Sequence, residues 1–195
     1  MASNRDPRVY PFREDSELLF SYAEPGPGRW LLELGCGEGR VALAAARSGA
    51  RVVASDLNPW ALRRVAALAR RERLSLIPVR TDLFRGLRKF DRVLVNPPYL
   101  PTNPESREGD SWANLALDGG PDGSAVARRF VRELPHHLLP GGAGYLIVSS
   151  EQSAESRTEL FAHWTRLGGP PKVVGERVLE GERLEVWELT TAEDR

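Results

Sequence analysis

Short apolar runs of strand length alternate along this chain with helical stretches, and that rhythm restricts its fold more than any other feature. Trp30–Leu34 is an apolar run that leads straight into glycines. Residues 41–47 form an alanine-rich helix brought to an end by Ser48-Gly49. A second strand spans 51–55, and a second helix, opened by Asn58-Pro59, spans 60–73. Residues 76–79 and 92–95 read as further strands, separated by the irregular stretch 82–90. A helix is predicted over 124–138, stopping at Pro140-Gly141-Gly142. A strand over 145–149, a helix over 154–167 and a closing hairpin of 173–178 with 184–189 complete the chain. Strand after helix after strand, with short connections, implies an α/β architecture: a mostly parallel sheet covered by helices on both faces.

Two segments break the rhythm. Residues 1–28 precede the first strand, and residues 99–123, rich in Pro, Gly, Asn and Asp, follow the fourth. Irregular stretches of that length in a compact domain are usually functional or disordered. With 195 residues, the expectation is one domain over 29–195 with the opening segment 1–28 laid across its site. No apolar run approaches the roughly 18 residues of a membrane span, and the first ten residues lack the apolar stretch of a secretory signal. A soluble, cytoplasmic protein is therefore expected. Lys+Arg and Asp+Glu both number 27, a balance that weighs against broad nucleic-acid binding. The single cysteine, Cys36, excludes an internal disulfide and any multi-cysteine zinc site, and no metal is expected.

The first chemical signal is Glu33-Leu34-Gly35-Cys36-Gly37-Glu38-Gly39, at the carboxyl end of the first strand. Glycines there let the backbone turn sharply and approach a ligand without Cβ contacts. Asp56 closes the second strand, where a carboxylate can accept both hydroxyls of a ribose. Asp82 follows the third, where it can meet an adenine edge. A dinucleotide's pyrophosphate would disfavour the acidic Glu33 and Glu38. A ligand with an amino group and a sulfonium suits them, so S-adenosylmethionine fits better than NAD. The structural alternatives are Asp56 as the N-cap of the 60–73 helix and Asp82 as a turn residue. Cys36, between glycines, reads as a small packed side chain rather than a nucleophile.

The second signal is Asn96-Pro97-Pro98-Tyr99, directly after Val93-Leu94-Val95. Two prolines stiffen the strand end and remove two N–H donors. What remains are acceptors, the Asn96 side-chain oxygen and the Pro97 carbonyl, with the Tyr99 ring beside them. That set suits an NH₂ group on an sp² carbon, whose lone pair is delocalised and must be aimed. Accepting its two hydrogens orients it, and the aromatic face favours the positive charge that develops. A proline-rich turn ending a strand is the structural alternative. Competing chemistry is absent from the sequence: His136, His137 and His163 lack metal-ligand spacing, and no nucleophile elbow or Walker loop occurs. His136 and His137 are expected to meet the terminal carbonyls of their helix. Arg63, Arg64, Arg70, Arg71 and Arg73 are expected to form a solvated face.

On these residues the chain resembles class I methyltransferases, and among them the HemK-like protein-glutamine methyltransferases of translation release factors, in their short archaeal and eukaryotic branch. Val9-Tyr10-Pro11, Glu14-Asp15-Ser16 and Leu18-Leu19 resemble that branch's opening segment, which folds over the cofactor. The run 32–39 resembles the first cofactor motif, Ser55-Asp56-Leu57-Asn58-Pro59 the ribose turn, and Thr81-Asp82-Leu83 the adenine-side turn. Asn96-Pro97-Pro98-Tyr99 matches the catalytic tetrapeptide, and residues 117–123 the downstream glycine-rich segment, with Trp112-Ala113-Asn114 as a departure.

The resemblance implies a Rossmann-like, seven-stranded, mostly parallel sheet with a C-terminal antiparallel hairpin. It implies catalytic residues Asn96, Pro97, Pro98 and Tyr99. The implied cofactor set is Glu14, Asp15, Ser16, Glu33, Gly35, Cys36, Gly37, Asp56, Leu57, Asp82, Leu83 and Asn96. It also implies N5-methylation of the glutamine in a release factor's Gly-Gly-Gln loop, and in some relatives a small zinc-binding activator protein. Because the tetrapeptide is shared with DNA and RNA amino-methyltransferases, methylation of adenine or cytosine is the second reading. A catalytically silent cofactor-binding module is the third.

Overall fold

A computed structural model describes residues 6–103 and 112–191. Among the described residues are seven strands: β1 (Trp30–Leu34), β2 (Arg51–Asp56), β3 (Leu76–Arg80), β4 (Phe90–Val95), β5 (Leu138–Ser149), β6 (Lys172–Leu179) and β7 (Glu182–Thr190). They form one sheet in the order β3-β2-β1-β4-β5-β7-β6. The first five strands in that order are parallel to one another, and β7 runs antiparallel to both β5 and β6. The expected architecture, including the closing antiparallel hairpin, is the observed one.

Apolar residues at successive strand positions point to opposite faces and give the sheet two cores. Leu31, Val52, Leu94 and Ile147 pack on one side, with α2 (Arg40–Arg47) and α3 (Pro59–Glu72). Leu32, Val53, Val93 and Leu146 pack on the other, with Phe130 of α5 (Ala125–Glu133) and Trp164 of α6 (Ala154–Gly168). The opening segment carries α1 (Glu14–Glu17) and a 3-10 turn, Leu18–Tyr22, whose Leu19 is fully inside the first core. Tyr22 stacks on Tyr145 at 4.8 Å and donates to the Val174 carbonyl at 2.7 Å. A further short helix, α4 (Trp112–Leu117), lies in what the sequence suggested was irregular chain.

The predicted helix over 124–138 needs correction. It ends at Glu133, passes through a 3-10 turn at Leu134–His137, and gives way to strand at Leu138. Pro140-Gly141-Gly142 does not stop a helix; it bulges out of β5. Phe90 pairs with Leu138 and Arg92 with Ala143, so residues 139–142 all face the single residue Asp91. Gly141 has φ 72°, and a Cβ on Gly142 would lie 2.8 Å from the Leu139 carbonyl. His137 accordingly bonds the Arg88 carbonyl at 3.1 Å and stacks on Phe84, rather than meeting its own helix's carbonyls.

Gly39 opens α2 in the left-handed region, φ 70°, and a Cβ there would overlap a γ-methyl of buried Val65. Backbone strain and overpacking act together at this position. Gly39→Ala is expected to destabilise the fold by about 2–4 kcal/mol, measured by denaturant unfolding. A loss below about 1 kcal/mol would mean that the α2–α3 packing yields easily.

Candidate active site

The strand order turns outward in both directions from β1, and the crevice at that switch point is where an open α/β sheet binds ligands. A cavity of about 440 Å³ lies there, within the size range of small-ligand sites. The glycine loop after β1 forms one wall. Gly35, Gly37 and Gly39 all have positive φ, at 68°, 49° and 70°. The Cys36 amide donates to the Ser55 carbonyl at 2.9 Å, tying the loop to β2. The Gly37 amide donates to Asp56 Oδ2 at 2.9 Å, and the Asn58 amide donates to Oδ1 at 2.8 Å. Asp56 thus braces the loop against the start of α3. It is not that helix's cap: Asn58 Oδ1 accepts from the Trp60 amide at 2.9 Å. Burial raises the Asp56 carboxyl above its ordinary range.

Cys36 is buried, and desolvation pushes its thiol well up, which leaves a packed thiol and no nucleophile. Glu33 is only 7% exposed and accepts from the Ala42 amide in the first turn of α2 at 2.8 Å. Burial pushes its carboxyl up to about 8, with nearby Asp56 adding to the effect and the Ala42 bond opposing it. The folded protein therefore holds the Glu33 proton more tightly than the unfolded chain does. The stability Glu33 contributes is present below its ordinary value of 4.5 and is lost as pH rises towards about 8. Glu33→Gln keeps an acceptor for Ala42 and cannot ionise. Its melting temperature is expected to exceed the wild type's at pH 8 and to vary less between pH 5 and pH 8. Parallel melting curves for the two proteins across that range would contradict this.

Asn96-Pro97-Pro98-Tyr99 forms the facing wall, where β4 ends beside β1. The opening segment closes over it. Asn96 Nδ2 donates to Asp15 Oδ2 at 2.9 Å and to Ser16 Oγ at 3.1 Å. Tyr99 and Tyr10 direct their hydroxyls at the same Asp15 oxygen, at 3.3 and 3.4 Å. Burial, reinforced by the Asp15 charge, pushes the Tyr10 phenol up to about 12 and raises Tyr99 further, so both remain neutral donors. Asn96 Oδ1, on the other side of the same amide, is buried and has no hydrogen-bond donor in the protein. A buried acceptor left unpaired is costly, and its natural complement is a donor brought by a ligand.

Of the residues singled out from sequence, Asp15, Ser16, Glu33, Gly35, Cys36, Gly37, Asp56, Leu57, Asp82, Leu83 and the tetrapeptide all line this one cavity. Glu14 does not: it is exposed, and its carbonyl accepts from Arg177 at 3.1 Å. On the short helix Asp15 and Ser16 turn inward, while Glu14 points away from the cavity. Asp82 contributes to the wall while pairing with Arg129 at 2.8 Å. Sequence reasoning missed Arg129 and Glu182 as wall residues, and placed Tyr10 in the segment expected to fold over the cofactor without naming it a site residue. For Tyr10 there was a signal, an aromatic just ahead of the Glu14-Asp15 pair. Arg64 was assigned to a solvated face, yet it reaches Glu38 at 3.5 Å, and the Phe12 amide donates to the same carboxylate at 3.4 Å. No described helix is long and apolar enough to cross a membrane.

The family model for the methyltransferase small domain matches residues 13–108. A protein of Methanocaldococcus jannaschii, provisionally named a protein N5-glutamine methyltransferase, is 39% identical over 146 residues, 74% of each chain. A release factor glutamine methyltransferase of Gloeobacter violaceus is 35% identical over 182 residues, covering 84% of this chain and 62% of its own. Among solved structures, a methyltransferase from Pyrococcus furiosus has the same fold, with TM-score 0.69 at 17% identity over 95% of this chain and 87% of that one. The span of the family model takes in Asp15, the glycine loop, Asp56, Asp82 and the tetrapeptide.

Proposed function

Because this chain belongs to the HemK-like methyltransferases, S-adenosylmethionine-dependent enzymes of the class I fold, we propose that it methylates N5 of the glutamine in the Gly-Gly-Gln loop of a translation release factor. The observation that carries the reading is the unpaired, buried Asn96 Oδ1, an acceptor held in the cavity wall by contacts on the opposite side of its own amide. A primary amide brings the complementary donors. The names carried by the relatives supply the substrate class.

The residues present fit the cofactor. The glycine loop keeps side chains out of the approach, since a Cβ on Gly37 would come within 3.2 Å of the Tyr10 carbonyl. Asp56 keeps lone pairs for ribose hydroxyls, Asp82 and Leu83 stand on the adenine side, and Glu33 and Ser16 suit the amino-acid end. When bound, the cofactor would supply an electrophilic sulfonium methyl and a neutral thioether as leaving group, and the methylated nitrogen would release its proton to solvent.

Asn96 Oδ1 and the Pro97 carbonyl accept the two hydrogens of the substrate NH₂, which aims its lone pair and favours the charge that grows on nitrogen. The Tyr99 ring offers a face to the flat amide, and its neutral hydroxyl anchors it to Asp15. The part of residues 1–28 that bears Tyr10 to Leu19 serves as the cover of this site, since its side chains complete the wall. A release factor as substrate would set the enzyme to work in the cytoplasm. A small zinc-binding activator would find an unpaired sheet edge at β3, where Ile77 is half exposed.

The test is labelled methyl transfer from S-adenosylmethionine to a purified release factor, alongside total RNA and DNA, with and without a candidate activator. Mass spectrometry is expected to find the methyl group on the Gly-Gly-Gln glutamine. Label in nucleic acid alone, or no transfer in any arm, would overturn the proposal.

A further inference from the structure

We infer that Asp15 is a positioning residue, whose carboxylate holds the Asn96 amide in the one orientation that turns its oxygen towards the substrate. The inference rests on the amide-methylation reading above. An asparagine amide carries an acceptor on one arm and two donors on the other, and the two orientations fill nearly the same space. Packing alone therefore does not choose between them. In the wrong orientation two N–H donors would face the two N–H donors of the substrate, and the slot would be dead.

Two groups touch the Nδ2 arm, Asp15 Oδ2 at 2.9 Å and Ser16 Oγ at 3.1 Å. A serine hydroxyl both donates and accepts, so Ser16 satisfies either orientation. A carboxylate only accepts. The flipped amide would set two buried oxygens against each other at hydrogen-bonding distance with no proton between them, so the choice falls to Asp15. Its own orientation is fixed in turn. Asp15 is 5% exposed, its Oδ1 accepts from the Ser16 amide at 2.6 Å, and both tyrosine hydroxyls converge on Oδ2. Buried Leu19 fastens the segment carrying it into the first core, so this segment acts on Asn96 as well as covering the site.

The test uses Asp15→Asn, which keeps the shape but can donate as well as accept. In that variant kcat is expected to fall roughly 10- to 100-fold, with KM for S-adenosylmethionine within about 3-fold of wild type. In ¹⁵N-labelled protein without cofactor, the Asn96 side-chain amide resonances are expected to shift and to exchange faster with solvent. Glu17→Gln, at an exposed carboxylate of α1 paired with Arg177, is expected to change none of these. Unaltered Asn96 resonances and kcat in Asp15→Asn overturn the inference. A loss confined to cofactor KM does so too, since it would make Asp15 a cofactor ligand only. Rapid exchange of both Asn96 amide protons in the wild type overturns it whether or not the variant folds. If wild-type protein transfers no methyl group to a release factor, the proposed function falls, while the resonance measurements still decide the orientation.

Discussion

Replacing Asn96 by aspartate is expected to lower turnover by roughly 10²- to 10³-fold, although the new side chain has nearly the same shape and keeps an oxygen. The reason lies on the far side of the amide. Asn96 Nδ2 is 2.9 Å from Asp15 Oδ2, so the substitution sets two buried carboxyls against each other. Like charges that close do not both ionise, and one carboxyl is driven to hold a proton. Either the pair shares that proton and distorts the slot, or an O–H points where the substrate amide needs an acceptor. Cofactor affinity is expected to change by no more than about tenfold, because the loss falls on the transition state. Single-turnover rates and calorimetric cofactor titration separate the two effects. Turnover within about 3-fold of wild type would contradict the role given to the Asn96 oxygen.

Asp56→Ala is expected to weaken S-adenosylmethionine binding by about 1.5–3 kcal/mol, roughly 10- to 150-fold in Kd. Two losses add. A charged acceptor for the ribose hydroxyls disappears, and so does the brace that receives the Gly37 and Asn58 amides. Removing a buried carboxylate also relieves the desolvation that raises its pKa, which offsets part of the stability cost in the free protein. Binding is therefore expected to suffer more than folding. Calorimetry alongside denaturant unfolding distinguishes them, and an unchanged Kd would remove Asp56 from the cofactor site.

The sequence was most legible where a property is local. Strand and helix periodicities, the Gly39 and Gly49 turns and the Asn58-Pro59 helix start each depend on a few adjacent residues, and outside 124–138 the structure bears them out. The tetrapeptide and the glycine loop were legible for the same reason: each is a short run whose backbone demands show in its composition. Pro140-Gly141-Gly142 misled because the same residues that stop a helix also suit a strand bulge. Only the pairing of β5 with β4 chooses between them.

What the sequence by itself determined, then, is the fold class and the two strand-end runs, the glycine loop and the tetrapeptide, that the structure brings to one cavity. Tertiary structure decided which of those groups touch. Asp15 and Asn96 are 81 positions apart, Asp82 and Arg129 are 47 apart, and no local pattern joins either pair. Their contacts exist because parallel strands bring distant loops to one end of the sheet, and because the N-terminal helix, held by Leu19, presents Asp15 inward and Glu14 outward. Burial also alters the chemistry of the residues found there. Glu33 reads in sequence as a charged ligand for an amine, and only desolvation behind α2 makes it a carboxyl that holds its proton to about pH 8.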